Sequence, residues 1–488
     1  MEFYEGRRAH RAARTKARSA ALVTNPGKPA VDRSHRDAVA AGLERLCEWA
    51  VAARSKPLPD AVRRRASLVV SDDIAAMVVA ASEPQVSAAQ DRILSPGGKA
   101  EATVFGAHRT KAPRSLAAAA NGLAVPWAEL DEGYRPLPCH AGGYTLPALL
   151  AEAEAENASV QDMLRALCIS YEITTRIAHT FPFDSLTIHP HGAFNAIGAA
   201  AGIAVLRGYD AAMLCDTLKS AATMVCAGPF NHAIEGALAR NTWTGLGAIA
   251  GFQAADFAPL GITGLRGALY DVYATGFNCR VEPQEMDTGL GQGEWAIERG
   301  YHKIYACCQY LHSAVQASME LAGRLAPDSK PIKSIEVETH ARGLALTGAA
   351  PDTVLAAKFS MPHALATVAV LRTAGAMGFN GASLKNAEIA AMRERVTARA
   401  HPAIGEWPND RPARVHWTFE DGTRWTAVCE NARGGADQPY SESELLTKFD
   451  ELTGATLPKA SGALRNLVVN ASATDRMPWR EMVDQVVA

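Results

Sequence analysis

The chain has 488 residues, 48% hydrophobic and 20% charged, so it can bury a large core and is not charged enough to stay disordered. Forty-nine basic against 51 acidic residues leave a formal charge of -2, which gives no general pull toward nucleic acid or an anionic membrane. Nine cysteines, an odd number with no CxxC pair to suggest a zinc site or redox dithiol, match the usage of a reducing cytosol, so a cytoplasmic protein is expected.

Residues 1–37 carry nine Lys or Arg and no apolar signal core, and read as a basic, disordered tail. The Arg-rich stretch Arg7 to Arg18 also fits a transit peptide or a nucleic-acid arm. From 38 to about 280 the pattern is helical and Ala-rich. Ser159 with Asp162 reads as a cap before Met163, Leu167, Tyr171, Thr174 and Ile177, and Asp210 as another before Met213, Leu214 and Leu218. The apolar run Ala193 to Leu206 is shorter than the roughly 20 residues a bilayer requires, so no membrane span is expected. The glycines at 289, 291 and 293 miss the GxGxxG spacing and read as a flexible connection.

The period changes after 330. Ile335, Val337 and Thr339 alternate as on a half-buried strand, and Val415, Trp417 and Phe419 do so again before Asp421-Gly422, followed by Trp425, Ala427 and Cys429. Matching the apolar faces of this hairpin favours an odd loop, Asp421 to Thr423, which sets Phe419 opposite Trp425. Residues 352–376 and 384–399 read as helices, and Ser441 as the cap of a closing helix with Leu445, Leu446, Phe449 and Leu452. The expectation is a mainly α protein. A large helical domain is built from 38–295 and 431–488, and a smaller α+β lid from 296–430.

Walker, HExxH and GxSxG patterns are missing. Chemistry is sought instead where titratable and small residues interrupt apolar helices: Leu130 to Gly143, Ile188 to Gly192, Ala239 to Gly245, and His302 to His312. Each has a plainer explanation. A single His or Asp is often a cap, Cys307-Cys308 reads as small core filler, and no acid or cysteine completes a metal set with His189 and His191.

These segments, in this order, resemble the MmgE/PrpD family. Asn121-Gly122 to Asp131 is similar to its NG...LDFDD stretch, His140 to Pro147 to its HPS...P, and His189-Pro190-His191-Gly192 to its HPTG. Gly251 to Gly264 resembles GxxAAxLAxxGFTG, His302 to His312 resembles KxYPxCxxxH, and Ala357 to Pro362 resembles AKFSLP. The resemblance spans roughly 38 to 455. It implies active-site roles for Asp131, His140, His189 and Lys303, and puts Arg240 where relatives often carry Lys and Trp243 where they carry His. The acidic loop departs: Asp131-Glu132-Gly133-Tyr134-Arg135 stands where relatives read DFDDT, which puts Tyr134 and Arg135 forward as substrate-shaping residues.

The resemblance further implies a homodimer with no metal or organic cofactor, and a lyase acting on a small polycarboxylate by losing water, as in 2-methylcitrate dehydratase, ahead of losing CO2, as in cis-aconitate decarboxylase. An epimerase of the same family, or a catalytically silent binding relative, is the alternative. Such chemistry builds negative charge next to a carboxylate and needs a base with cations around it. His189 or His140 is assigned to proton transfer, Asp131 to orienting a histidine or to the acid role, and Lys303 and Arg240 to holding carboxylates.

Overall fold

A computed structural model describes residues 32–106, 109–185 and 187–488, so most of the expected basic tail lies outside the described residues. Its last part does not match the expectation of disorder. Helix α1 (Arg33–Arg54) begins inside it because Asp32 caps the first turn, its Oδ1 accepting from the His35 N–H at 3.1 Å.

The chain is mainly helical, as expected. After α1 come α2 (Asp60–Ala80), α3 (Pro84–Leu94), α4 (Arg114–Ala124), α5 (Ala141–Ala155), α6 (Val160–Thr180), α7 (Asn195–Leu206), α8 (Ala211–Ala222) and α9 (Trp243–Phe257). Ser159 and Asp210 cap α6 and α8 as their sequence suggested. Helix α7 is buried on every side from Asn195 to Val205 and packs on α5, α6, α8 and α9. Small residues permit this crowding: a Cβ on Gly251 of α9 would lie 2.5 Å from the Ala199 Cβ of α7.

The chain's end returns to its beginning. Helices α10 (His312–Gly323) and α11 (Met361–Leu371) belong to the sheet region. The last three, α12 (Glu442–Thr453), α13 (Ala460–Val469) and α14 (Trp479–Val486), pack on the N-terminal helices, α12 and α13 against α2 and α14 against α5. Arg63 of α2, almost wholly buried, ties this return together by donating to Asp475 Oδ1 at 2.7 Å and to the Leu467 carbonyl at 2.8 Å. Ser441 forms a full capping box with Glu444 at the head of α12.

The sheet has four strands, β1 (Ile332–Thr339), β2 (Val396–Ala400), β3 (Ala413–Phe419) and β4 (Arg424–Cys429), in the order β2-β1-β3-β4. Only the β1–β2 pair is parallel. Two expectations need correction here. The helix read over 384–399 ends at Arg393, and Val396–Ala400 becomes an edge strand because hydrogen bonding to β1 outweighs local propensity. In the hairpin the odd loop is right but lies one residue earlier, at 420–422. Gly422 takes the left-handed conformation (φ +85°) and Trp417 faces Trp425. Facing the two tryptophans keeps the apolar faces together, since a two-residue shift preserves parity.

Candidate active site

Two loops meet between the helical region and the sheet region. One joins α4 to α5 and carries Glu129, Asp131 and His140; the other precedes α10 and carries Lys303. A two-residue antiparallel ladder, Gly133–Tyr134 with Gly300–Tyr301, stitches them together. This contact requires glycine at 133, because a Cβ there would lie 2.6 Å from the Tyr301 ring. Glu129, a non-glycine residue at φ +53°, holds the left-handed conformation just before Asp131.

The side chains converge on a cavity of about 50 Å³ lined by Glu129, His140, His189, Arg240, Lys303 and Arg411 together with Tyr134, Tyr301, Cys308, Gln309, Phe230 and Phe359. Lys303 Nζ sits between Asp131 Oδ1 at 3.2 Å and Glu129 Oε2 at 3.4 Å, and the other oxygen of Glu129 pairs with Arg240 at 2.6 Å. Asp131 Oδ2 lies 2.7 Å from His140 Nδ1. Among the described residues only Nδ1 of His140 is hydrogen-bonded, which leaves Nε2 as the ring atom available for chemistry. His189 stacks on Phe230 with centroids 4.9 Å apart, its Nδ1 accepts from the His191 backbone N–H at 3.2 Å, and its Nε2 lies 3.4 Å from Arg240 Nε.

Burial alone would neutralise these groups, and their neighbours decide which remain charged. It pushes the Asp131 carboxyl up, but Lys303 and His140 outweigh it and hold the group far below the usual carboxylate range. Glu129 is held low in the same way by Arg240 and Lys303. Burial likewise disfavours the Lys303 ammonium, yet Asp131 and Glu129 keep it charged well above the ordinary lysine range. For His189, burial and Arg240 act together, so its imidazole is neutral. Burial pushes the Cys308 thiol up to about 12, which removes it as a nucleophile near neutrality.

The structure brings Asp131, His140, His189, Arg240, Lys303 and Tyr134 to this one place. Tyr134 lines the wall with its hydroxyl 3.1 Å from His179 Nε2. Arg135 is a correction. It does not line the cavity; its guanidinium donates to the Pro408 carbonyl at 3.0 Å and Asn431 Oδ1 at 2.8 Å, pairs with Asp410 at 3.2 Å and lies over Trp407. The helix start at His189 also differs, since Pro190–Ala193 is a single turn broken at Phe194 before α7 begins. Sequence reasoning missed Glu129 and Arg411. The first stands two residues before Asp131, beside a segment already singled out; the second sits just ahead of β3 in a stretch with no pattern, and reaches the cavity through a contact with Gln309. Among the described residues no helix is long and apolar enough to cross a membrane.

The MmgE/PrpD N-terminal domain profile matches residues 44–287 and the MmgE/PrpD C-terminal domain profile residues 305–473. Cis-aconitate decarboxylase of Aspergillus terreus is 24% identical over 474 residues, covering 90% of this chain and 95% of the relative. A cis-aconitate decarboxylase-like protein, oryM, of Aspergillus oryzae is 24% identical over 443 residues, covering 84% of this chain and 90% of the relative. With the two family domains matched in order along its length, this chain belongs to the MmgE/PrpD family.

Proposed function

We propose that the protein is a lyase for a small polycarboxylate, with CO2 as the first-choice leaving group and water as the second, working by proton transfer at a carbon next to a carboxylate. The observation that carries this reading is the Asp131–His140 pair beside Lys303 and Arg240 at one cavity. Counting the ion-paired neighbours, four cations, Arg240, Lys303, Arg411 and Arg135, meet three carboxylates, Glu129, Asp131 and Asp410, so one positive charge is left over and suits an anion. The named relatives favour CO2 loss over dehydration.

Asp131 holds His140 by Nδ1 and stabilises the imidazolium, which presents Nε2–H to the substrate. When the bond to the departing carboxylate breaks, its electron pair stays on carbon, CO2 leaves, and the carbon takes the proton from Nε2. Solvent then restores that proton. Lys303 and Arg411, which line the cavity, are assigned to the developing negative charge, and neutral His189 to hydrogen bonding. In the dehydration variant neutral His140 removes the carbon proton through Nε2, the freed electron pair forms the carbon–carbon double bond, and the neighbouring hydroxyl takes that proton back from Nε2 as its bond to carbon breaks, so that it departs as water. The reading invokes no cofactor. A second copy of the chain is its partner, supported by the exposed apolar side chains of Leu260, Ile262 and Leu265 just beyond α9.

Incubation with cis-aconitate, citrate, 2-methylcitrate and iminodisuccinate, with products followed by mass, tests the reaction. Loss of CO2 or water from one of them is expected. Deuterium exchange into substrate without either loss turns the assignment to an epimerase, and binding without any reaction turns it to a silent relative.

A further inference from the structure

Next to the loop that carries Asp131 and His140, and outside the lining of the cavity, two more acids are wholly buried. Asp73 comes from the middle of α2 and Glu132 follows Asp131 directly. Asp73 Oδ1 accepts the Glu132 backbone N–H at 2.8 Å, and Glu132 Oε1 accepts the Tyr171 hydroxyl at 2.6 Å. Their other oxygens, Asp73 Oδ2 and Glu132 Oε2, have no partner among the described residues. Both border the same space, because a Cβ on Gly142 in the first turn of α5 would lie 3.1 Å from the former and 2.8 Å from the latter.

We propose that Asp73 and Glu132 share a proton across that space, and that the pair acts as a positioning device beneath Asp131 and His140. The role rests on the catalytic reading of those two residues; the shared proton does not. Two buried orphan oxygens are costly, and one proton between them gives each a partner. Charge counting agrees. The neighbouring carboxylates Asp72, Glu129 and Asp131 are matched by Lys448, Arg240 and Lys303, which among the described residues leaves Arg65 as the one unpaired cation near the pair, enough for a single negative charge and not for two.

The groups facing the pair are Asp72 and Asp131, the Tyr171 hydroxyl, the Cys139 thiol, His140 and Arg65. Arg65 approaches Glu132 Oε1 from α2 without closing an ion pair. Burial raises both acids, Glu132 to about 8. The geometric consequence is direct. Asp73 fixes the backbone of the residue next to Asp131, and the Glu132 carbonyl oxygen lies 3.0 Å from His140 Nδ1, so an ionised, mutually repelling pair would disturb both.

Infrared spectroscopy of the full chain without substrate tests the shared proton. The expected result is the carbonyl stretch of a buried carboxylic acid at pH 7, fading as pH rises past about 8 and removed in both D73N and E132Q. No such band in the wild-type protein at pH 7, or a band unchanged in either folded variant, overturns the proposal. Melting across pH gives a second readout. Native Glu132 keeps its proton to about pH 8 while the unfolded chain releases it near 4.5, so its contribution to wild-type stability is lost as pH rises through that window. E132Q, which cannot ionise there, should gain on the wild type between those limits; parallel curves overturn the shared proton. For the positioning role, D73N should lower kcat about tenfold with KM little changed, and wild-type kcat would overturn it. Should the protein act on no carboxylate at all, the infrared and melting results still decide the pair.

Discussion

Two clusters in this molecule are made from the same materials, and only one is a candidate for chemistry. On the sheet, Glu336 and Glu338 lie near His416, with ligand atoms within 4.8 Å of one another, and Arg399, Arg414 and Arg424 crowd round them. At the cavity, Glu129 and Asp131 meet His140, Arg240 and Lys303. The difference is the water around the cations, since Glu338 and His416 are themselves buried. Arg399 and Arg424 are about half exposed at 58% and 49%, whereas Arg240 and Lys303 are 1% and 0% exposed. Solvent screens the exposed cations of the first set, while in the second each buried charge depends on its partner. Residue type is therefore a poor guide to function until burial and a cavity are added.

Substitutions can break this contrast, and the largest effect belongs to Lys303. Lys303→Met leaves Asp131 and Glu129 short of a buried cation, so chemical denaturation should show a loss of about 3–5 kcal/mol together with loss of turnover. A smaller cost, about 2 kcal/mol, is expected for Arg135→Ala, which removes charge-assisted hydrogen bonds to Pro408 and Asn431 but leaves the cavity lining intact; KM should change little. Arg411→Lys keeps the charge and loses the two-pronged geometry, so KM for a carboxylate should rise severalfold with the melting temperature nearly unchanged. Least of all, Glu336→Gln on the sheet should change stability by no more than about 1 kcal/mol and leave turnover alone. A sheet substitution as damaging as Lys303→Met would erase the distinction.

What could be read in advance was mostly local. Ser159, Asp210 and Ser441 cap helices through bonds spanning three residues, so their pattern suffices. Asp131, His140, His189 and Lys303 were found through short segments in a fixed order, and the ladder between Gly133–Tyr134 and Gly300–Tyr301 is what unites two of those segments. Features set by distant partners were not legible. Val396–Ala400 is a strand because β1 pairs with it, Arg135 turns from the cavity because Pro408 and Asn431 receive it, and Arg411 arrives from a stretch with no periodicity. Asp72-Asp73 did leave a trace, two acids inside the apolar run of α2, where burial always demands an explanation.

In the proposed reaction His140, held by Asp131, moves the proton. The most direct test of this role compares turnover by the wild-type protein and by His140→Ala on whichever carboxylate the product assay identifies, with binding followed by calorimetry. Turnover about a hundredfold lower or worse, with binding largely kept, is the expected outcome. Turnover within about twofold of wild type would contradict the assignment of His140 to the proton transfer.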